Sequence, residues 1–223
     1  MRTSDSLRKT YGETLVELGE KNKNIVMLEA DLGNSTMSSL FGNVYPERYF
    51  QMGIAEQNMA SVAAGLSLTG KIPFINSFAV FASGRAYDQI RSSITIASLN
   101  VKICGSSAGL SDYGDGKTHQ SIDDIALMQV LPNMTVLSPC DAVETEQMVK
   151  AMVENKGPMY IRINRNDLPV VTDPNAEYHI GKMTQVVEGK DVVVFATGIM
   201  VQQSIQAAKQ LKEEGIGVRV VNV

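Results

Sequence analysis

A short strand and a helix meet in the stretch Tyr49-Phe50-Gln51-Met52-Gly53-Ile54-Ala55-Glu56-Gln57-Asn58-Met59. Residues 49–52 predict the strand, Gly53 ends it, and residues 55–68 predict the helix. The helix is small and apolar on nearly every side, which is typical of a buried helix. Glu56 is therefore expected in the first turn of a buried helix, beside the end of a strand. Because ligands of open α/β sheets bind beyond the carboxyl ends of strands, this turn is a candidate site.

Two interpretations of Glu56 stay open on the residues alone. A carboxyl group held in an apolar site can stay protonated and donate a hydrogen bond, which would give it a chemical role. An acid in the first turn of a helix also complements the positive end of the helix dipole, and this common role requires no ligand. The choice between them depends on what surrounds the side chain.

Composition limits the class of protein. The chain has 223 residues, a formal net charge of -4 and 44% hydrophobic residues, which suffices for one α/β domain and part of another. This mild acidity argues against a nucleic-acid partner, and no apolar run approaches the length of a membrane span. Residues 1–6 lack a hydrophobic signal core, so we expect a cytoplasmic protein. The two cysteines, Cys104 and Cys140, are interpreted as reduced structural thiols, and no metal ligand is predicted.

Strand and helix patterns alternate along the chain, which predicts an α/β fold with a largely parallel sheet flanked by helices. We expect a first domain over residues 1–172 and a linker with a small strand or hairpin over 173–190. Residues 191–223 predict the first strand-helix-strand unit of a second α/β domain. One such unit cannot bury both faces of its own sheet, so the second domain is expected to be incomplete here.

Local patterns give more detailed expectations. A helix over residues 6–21 would be capped by Ser4 or Asp5, and a second helix is expected over residues 85–98. Phe78 and Phe81 would lie on the connector between a strand over residues 72–75 and that second helix. A long loop follows the strand at 101–104, and long loops in compact domains are often functional. Its polar candidates for binding are Ser107, Asp112, Asp115, Lys117 and His119.

Several segments resemble, in the same order, motifs of the transketolase family. They are Ala30-Asp31-Leu32, Gly53-Ile54-Ala55-Glu56-Gln57-Asn58-Met59, Arg85-Ala86-Tyr87-Asp88-Gln89-Ile90, Gly114-Asp115-Gly116-Lys117-Thr118-His119-Gln120 and Arg165-Asn166-Asp167-Leu168-Pro169. The resemblance covers essentially the whole chain. It implies the pyrimidine-binding domain of transketolases, which contacts thiamine diphosphate, followed by the start of their C-terminal domain.

The resemblance also implies an activity and a partner. The expected reaction transfers a two-carbon ketol unit from a ketose phosphate to an aldose phosphate, with the cofactor performing the carbanion chemistry. The family's diphosphate-binding domain and its magnesium segment have no counterpart in this sequence. A separate N-terminal-type transketolase subunit would therefore supply Mg²⁺ and the diphosphate contacts, and a dimer of such pairs is expected.

Residue roles carry over by motif position. Glu56 would contact the aminopyrimidine ring and activate the cofactor, and His119 would move protons near the substrate. Phe78 would pack on the aminopyrimidine, Ile75 and Phe81 would wall the same pocket, and Asp31 would lie near the cofactor. The implied substrate contacts are Arg8, Ser35, Arg85 and Arg165 at the phosphate, and Asp115 at a hydroxyl, with His119 beside them.

One departure from the family pattern leaves the substrate open. Transketolases commonly carry a histidine twelve positions before His119, facing the terminal hydroxyl of the donor, and this chain has Ser107 there. Because 1-deoxyxylulose-5-phosphate synthases also lack that histidine, a related reaction with pyruvate as donor is an alternative. The β subunit of a 2-oxo acid dehydrogenase and a non-catalytic fragment are further alternatives. For Arg165, a structural pair with Asp167 is the alternative to a phosphate contact.

Overall fold

The structure, a computed structural model, describes residues 5–223. Its strands are β1 Asp5–Ser6, β2 Ile25–Glu29, β3 Tyr49–Gln51, β4 Ile72–Phe78, β5 Lys102–Ser106, β6 Thr135–Leu137, β7 Met159–Arg162, β8 Asp167–Leu168, β9 Thr184–Val187, β10 Val192–Ala196 and β11 Val218–Asn222. Six of them form the main sheet in the order β3-β2-β4-β5-β7-β6, and every pairing in it is parallel. The predicted parallel sheet is therefore confirmed.

Helices cover both faces of this sheet. The helices of the described residues are α1 Leu7–Lys21, α2 Gly33–Thr36, α3 Ser39–Val44, α4 Glu56–Leu68, α5 Ala79–Gly84, α6 Tyr87–Gln89, α7 Asp124–Gln129, α8 Ala142–Glu154 and α9 Ile199–Glu213. Of these, α9 packs against β10 and β11 instead of the main sheet. A π-helical segment spans Ile90–Thr95, and short 3₁₀ turns span Pro46–Arg48 and Gly116–Thr118. On one face, α4 and the π-helical segment pack on Ile75 and Ile103. On the other, α1 and α8 pack around Phe74 and Cys104.

The helix starts follow capping chemistry. The hydroxyl of Ser6 accepts a hydrogen bond from the backbone N–H of Lys9 at 3.4 Å, so α1 is capped by Ser6. The expectation of Asp5 as the cap is wrong by one residue, and Ser4 lies outside the described residues. Asp141 caps α8, because its carboxylate accepts a hydrogen bond from the N–H of Glu144 at 2.9 Å.

The region after β4 differs from the expectation in two ways. Phe78 is the last residue of β4 and Phe81 lies in α5, so neither is on a connector. The single helix expected over residues 85–98 is instead α6 and the π-helical segment Ile90–Thr95. Hydroxyl groups compete for the backbone here, since Thr95 Oγ1 donates to the carbonyl of Arg91 at 3.0 Å. Such bonds disturb a regular helix and give a physical reason for the change.

Helix α4 is buried on one face only, which corrects the expectation of burial all round. Met59, Ala60 and Ala63 are fully buried against the sheet. Val62 and Leu68 are exposed on the opposite side, Leu68 by 75%. The small apolar residues of α4 therefore serve the core on one face, while the other face mixes polar and apolar side chains.

The second sheet has the order β10-β11-β9, with β10 and β11 parallel and β9 antiparallel. Strand β9 lies inside the segment predicted as a linker, and it joins the predicted strand-helix-strand unit. Val193 and Phe195 of β10 are exposed, Phe195 by 64%, as expected for a sheet with one uncovered face. The domain boundaries at 172 and 190 stay a prediction.

The start of α8 contacts both the end of the first domain and the second sheet. The carboxylate of Asp141 accepts hydrogen bonds from the N–H groups of Val171 and Thr172 at 2.8 and 2.7 Å. Nearby, the side chain of Asn222 donates to Glu144 Oε1 at 2.8 Å. No helix within residues 5–223 is both long and apolar enough to cross a membrane. The cytoplasmic location stays a prediction.

Candidate active site

Most of the predicted site residues lie where strands of the main sheet end. Phe78 closes β4, His119 lies in the loop that follows β5, and Arg165 lies just after β7. Because parallel strands present their carboxyl ends at one edge, the fold brings these side chains to the same side of the sheet. They form two groups, one around Glu56 and one around Arg165.

Glu56 is held by an arginine. Its side chain is 4% exposed, and Oε1 accepts a hydrogen bond from Arg85 Nη1 at 3.0 Å. The guanidinium of Arg85 in turn lies 4.1 Å from the ring centroid of Phe81, in cation–π contact. The carboxylate of Glu56 therefore has a charged partner and does not lie alone in an apolar site. The arrangement places Arg85 with Glu56, away from the predicted phosphate contacts.

Three rings gather beside this ion pair. Phe78 and Phe81 are nearly parallel, with centroids 6.2 Å apart and an interplanar angle of 16°. The imidazole of His119 stands edge-on to both, at 6.0 Å from Phe78 and 5.3 Å from Phe81. Its Nδ1 lies 2.9 Å from the hydroxyl of Thr118. The structure thus brings Glu56, Arg85, Phe81, Phe78 and His119 into one chain of contacts, which we call the pyrimidine cluster.

A pocket of about 630 Å³ opens at the start of α4. Glu56 and Arg85 line it together with residues 54, 55, 57 and 58. A larger pocket of about 820 Å³ lies between α1, α8 and residues 170–174, and none of the predicted site residues lines it. The smaller pocket is therefore the one that belongs to the candidate site.

The second group joins Arg8, Ser35 and Arg165. Arg8 Nη1 donates to the carbonyl oxygen of Ser35 at 2.7 Å, so the backbone of Ser35 is the contact rather than its hydroxyl. Burial lowers the pKa of Arg8 from its ordinary value, and the nearby positive charge of Arg165 lowers it further. Two guanidinium groups held within electrostatic reach of each other are an arrangement that an anion would stabilise.

Arg165 has an acidic partner that was not foreseen. Its Nη1 lies 2.9 Å from Asp112 Oδ2 and 3.6 Å from Asp115 Oδ2. The Asp112 side chain is fully buried, whereas that of Asp115 is half exposed. The proposed structural pair of Arg165 with Asp167 is therefore replaced by a pair with Asp112. We call Arg8, Ser35, Arg165, Asp112 and Asp115 the anion cluster.

Two predicted site residues lie apart from both clusters. Ile75 is a core residue, 1% exposed in the middle of β4, so the structure gives it packing rather than a pocket wall. Asp31 follows β2 with a positive φ of 63°, and its N–H donates to the side-chain oxygen of Gln51 at 2.9 Å. The same oxygen accepts from the N–H of Gly53 at 3.0 Å. Gln51, which was not singled out, thus ties the end of β2 to the start of the Glu56 segment.

Glu29 is a buried acid that the sequence reasoning passed over. Desolvation raises the pKa of its carboxyl group to about 7, although the hydroxyls of Ser38 and Thr36 and two backbone N–H groups donate to it. A signal was present, because Glu29 ends a run of apolar strand residues at the same edge as Asp31. Its partners all lie in residues 30–38, so its hydrogen bonds shape the turn after β2.

Polar atoms without partners mark the edge between the two clusters. Within the described residues, the hydroxyls of Ser77, Ser106 and Ser107 and Oδ1 of Asp112 are buried and make no hydrogen bond. Ser107 also has a positive φ of 53°, which is uncommon for a residue other than glycine. Buried polar atoms are usually satisfied, so these groups are candidates for contact with water or a ligand.

The pyrimidine cluster fits one half of thiamine diphosphate. Phe81 is partly exposed and offers aromatic surface for a heterocycle, with the buried ring of Phe78 nearly parallel to it. Glu56 offers a carboxyl group that can share a proton with a ring nitrogen. Residues 5–223 contain no group of three or more His, Cys, Asp and Glu side chains arranged to hold a metal ion. The fit therefore concerns the pyrimidine side of the cofactor.

Comparison with known proteins covers nearly the whole chain. Residues 4–171 match the family described as transketolase, pyrimidine binding domain, and residues 181–223 match the transketolase C-terminal domain. The chain is 44% identical over 219 residues to a transketolase C-terminal section of Methanocaldococcus jannaschii, a match that covers 97% of this chain and 69% of that protein.

Two further relatives agree with this. A 6-deoxy-6-sulfo-D-fructose transketolase subunit of Clostridium sp. is 41% identical, covering 97% of this chain and 67% of that protein. A solved structure described as a split gene transketolase, inactive β4 tetramer, is 51% identical with a TM-score of 0.88, covering 97% of this chain and 71% of that one. The resemblance found in the motifs is confirmed, and the chain belongs to the transketolase family.

Proposed function

We propose that this chain is the pyrimidine-binding subunit of a two-subunit transketolase, which transfers a two-carbon ketol unit between a ketose phosphate and an aldose phosphate. The pyrimidine cluster carries this proposal. Glu56, the paired rings of Phe78 and Phe81, and His119 are contiguous at the carboxyl edge of a parallel sheet. The general activity of the transketolase family is ketol transfer dependent on thiamine diphosphate, and three of the motifs that resemble this family contain Glu56, Arg85 and His119 of the cluster.

When bound, thiamine diphosphate supplies the carbanion chemistry of ketol transfer. The side chains of this chain then have separate tasks. Phe78 and Phe81 bind the face of the aminopyrimidine, and Glu56 hydrogen-bonds to the ring, with Arg85 fixing the position of the carboxylate. His119 is partly buried and stands edge-on to the ring of Phe81. We assign it the exchange of protons with substrate oxygens, for which an imidazole is suited near neutral pH.

The anion cluster would bind the charged end of the sugar. Arg8 and Arg165 supply two guanidinium groups, which match the geometry of phosphate oxygens and donate charge-assisted hydrogen bonds. Asp115 is half exposed beside Arg165, where a substrate hydroxyl could donate to it. Arg85, by contrast, is paired with Glu56, and we no longer assign it to the phosphate.

A partner subunit is part of the proposal. The similar proteins described as a C-terminal section and as a split gene transketolase imply that a second chain completes the enzyme. Ile54, which is 74% exposed beside Glu56 and Arg85, lies where such a partner could pack. We propose that an N-terminal-type transketolase subunit supplies the Mg²⁺ and diphosphate contacts, and that two such pairs associate.

The decisive experiment is a ketol-transfer assay on the chain co-purified with an N-terminal-type subunit. Thiamine diphosphate, Mg²⁺, a ketose phosphate and an aldose phosphate are supplied, and both sugar products are measured. We expect transfer by the mixture and none when either subunit is omitted. Pyruvate is tested as donor in parallel. Pyruvate consumption without ketol transfer would favour the synthase alternative, and no cofactor-dependent turnover with any donor would favour the non-catalytic one.

A second candidate substrate class has its own support. The relative from Clostridium is named for a sulfonated sugar, 6-deoxy-6-sulfo-D-fructose, at 41% identity. The buried pairing of Arg165 with Asp112 also reduces the positive charge that would meet a phosphate. A sulfonated ketose is therefore included as a donor in the same assay, and the ratio of kcat/KM for the two donors decides between them.

A further inference from the structure

The anion cluster contains more negative charge than a phosphate site requires. Arg8 and Arg165 supply two positive charges, while Asp112 lies 2.9 Å and Asp115 3.6 Å from Arg165. The negative charges of Asp167 and Asp112 also act on Arg8, where they raise the pKa of the guanidinium against the lowering by burial. Asp112 and Asp115 lie in the loop after β5, and Asp167 lies in β8. The negative charge of these carboxylates therefore matches or exceeds the positive charge of the two guanidinium groups.

We propose that Asp112 sets the charge of the anion that this site accepts, favouring a singly charged terminus over a doubly charged one. The inference rests on the proposed ketol transfer, and within it favours the second candidate substrate class, the sulfonated ketose, over the ketose phosphate. The inference goes beyond the proposed function because it names a residue that determines specificity, Asp112, and the charge of the ligand that this residue selects.

Burial gives Asp112 this role rather than Asp115. The side chain of Asp112 is fully buried, so water screens its charge poorly, while the side chain of Asp115 is 50% exposed. One oxygen of Asp112 binds Arg165, and the other, Oδ1, is buried without a hydrogen-bond partner in the described structure. Its charge is therefore only partly balanced, and it acts on whatever binds the guanidinium of Arg165.

The charge of the ligand then matters. A phosphate monoester carries nearly two negative charges at pH 8, since its second pKa is about 6, whereas a sulfonate carries one. Repulsion from Asp112 acts on each unit of ligand charge, so it penalises the dianion about twice as much as the monoanion. Both ligands present three oxygens to the arginines, so geometry alone separates them little.

The test uses two small probes on the full chain, methyl phosphate and methanesulfonate, at pH 8 and constant ionic strength. Binding is followed by NMR through the arginine side-chain N–H resonances, which report weak binding directly. We expect wild-type chain to bind methanesulfonate at least as tightly as methyl phosphate. Binding of methyl phosphate about tenfold more tightly than methanesulfonate, or no binding of either probe, would overturn the inference.

The variant Asp112→Asn removes the charge and keeps an oxygen that can accept from Arg165. We expect it to shift the ratio of the two dissociation constants toward methyl phosphate by about tenfold, which is about 1.4 kcal/mol. Glu154→Gln, an equal loss of charge at the exposed end of α8, should leave the ratio unchanged. An unchanged ratio in Asp112→Asn with normal folding would overturn the inference. If that variant does not fold, the ratio of the two dissociation constants measured on the wild-type chain alone tests the inference.

These outcomes are separate from those of the proposed function. Ketol transfer by the two-subunit enzyme can be present while wild-type chain prefers the dianion, and then only the inference about Asp112 fails. If no ketol transfer is found, the probe titrations still measure the charge preference of the site.

Discussion

Glu56 is the residue on which the candidate cofactor site depends, because its buried carboxylate links α4 to Arg85 and the rings. We expect Glu56→Gln to lower ketol transfer by the assembled enzyme at least about a hundredfold, since Gln keeps the volume but cannot act as an acid. Thermal unfolding should show that the variant remains folded. Glu146→Gln, which removes an exposed carboxylate paired with Lys150, serves as control. Near-normal turnover by Glu56→Gln would remove Glu56 from the mechanism.

The role of Arg165 is best tested with a substitution that keeps its positive charge. Arg165→Ala would leave the buried carboxylate of Asp112 without its ion-pair partner, and breaking a buried pair typically costs about 3–5 kcal/mol of stability. Arg165→Lys keeps the charge and loses the planar fork that matches an anionic group. We expect it to raise KM for sugar substrates with an anionic terminus by about one to two orders of magnitude, with little change for uncharged analogues.

The matched control for Arg165→Lys is Arg162→Lys. Arg162 is also an arginine at the end of β7, and it donates from Nε and Nη2 to Asp124 at 2.9 and 3.1 Å. Because that pair lies outside both clusters, its loss should lower stability without altering the preference for charged substrates. Equal losses of activity on charged and uncharged sugars in Arg165→Lys would make Arg165 a structural residue.

At the scale of elements, Lys102 is buried in β5 and supports the turn between α8 and β7. Its ammonium group donates to the carbonyl oxygens of Asn155 and Gly157, both at 2.8 Å. Burial lowers the pKa of this side chain from 10.5 to about 7. Above about pH 7 the folded state therefore holds Lys102 mainly as a neutral amine, which retains two N–H donors for the two carbonyls.

The sign of the resulting pH dependence follows from the lowered pKa. Between about pH 7 and 10.5 the unfolded chain binds a proton at Lys102 that the folded chain does not, so the free energy of unfolding rises with pH. We expect this contribution to grow by up to about 1.4 kcal/mol per pH unit in that range. Lys102→Met should remove it. Denaturant unfolding at pH 7 and pH 9 would test this, and equal pH slopes in both proteins would contradict it.

Helices and strands with strong local signals could be predicted from the sequence. A segment in which side-chain hydroxyls compete for backbone carbonyls could not. The strand predicted over residues 49–52 and the helix predicted over residues 55–68 were placed almost to the residue, as β3 Tyr49–Gln51 and α4 Glu56–Leu68. The segment after Arg85 has apolar spacing that suits a helix. Its serine and threonine hydroxyls, however, bond to backbone carbonyls four residues earlier, at Ser92 and Thr95. Asn133 donates to the Thr95 carbonyl from another loop, a contact that periodicity does not encode.

The candidate site could also be predicted from the sequence only in part. Glu56, Phe78, Phe81 and His119 were expected around one site because the resemblance to transketolases implies it. Asp112 was noted only as one polar residue of a long loop. Its burial against Arg165 depends on how residues 108–112 fold back onto β7, where Ala108 N–H donates to the Ile163 carbonyl at 3.1 Å. A contact over more than fifty residues of sequence has no local signature.

At the scale of the whole molecule, the two clusters would, in the proposed function, supply groups for the pyrimidine and for an anionic sugar terminus. Ile54 lines the pocket with Glu56 and is 74% exposed, and Leu68 at the other end of α4 is 75% exposed. A similar chain, 51% identical, is described as an inactive β4 tetramer of a split gene transketolase. These observations support the view that the pyrimidine cluster acts only when another subunit covers it.

We therefore expect the isolated chain to be inactive and to bind thiamine diphosphate weakly. Calorimetric titration of the chain alone should show no Mg²⁺-dependent binding, whereas the chain mixed with an N-terminal-type subunit should bind the cofactor tightly. Thermal unfolding gives an independent measurement, because a ligand at a hundred times its Kd stabilises the folded state by about 2.7 kcal/mol. The mixture should gain this stability and the chain alone should not. The mixture with Glu56→Gln separates the contribution of the pyrimidine cluster from that of the diphosphate contacts, since only the former is altered. Tight, Mg²⁺-dependent binding by the isolated chain would contradict the two-subunit proposal, because it would place the diphosphate contacts on this chain.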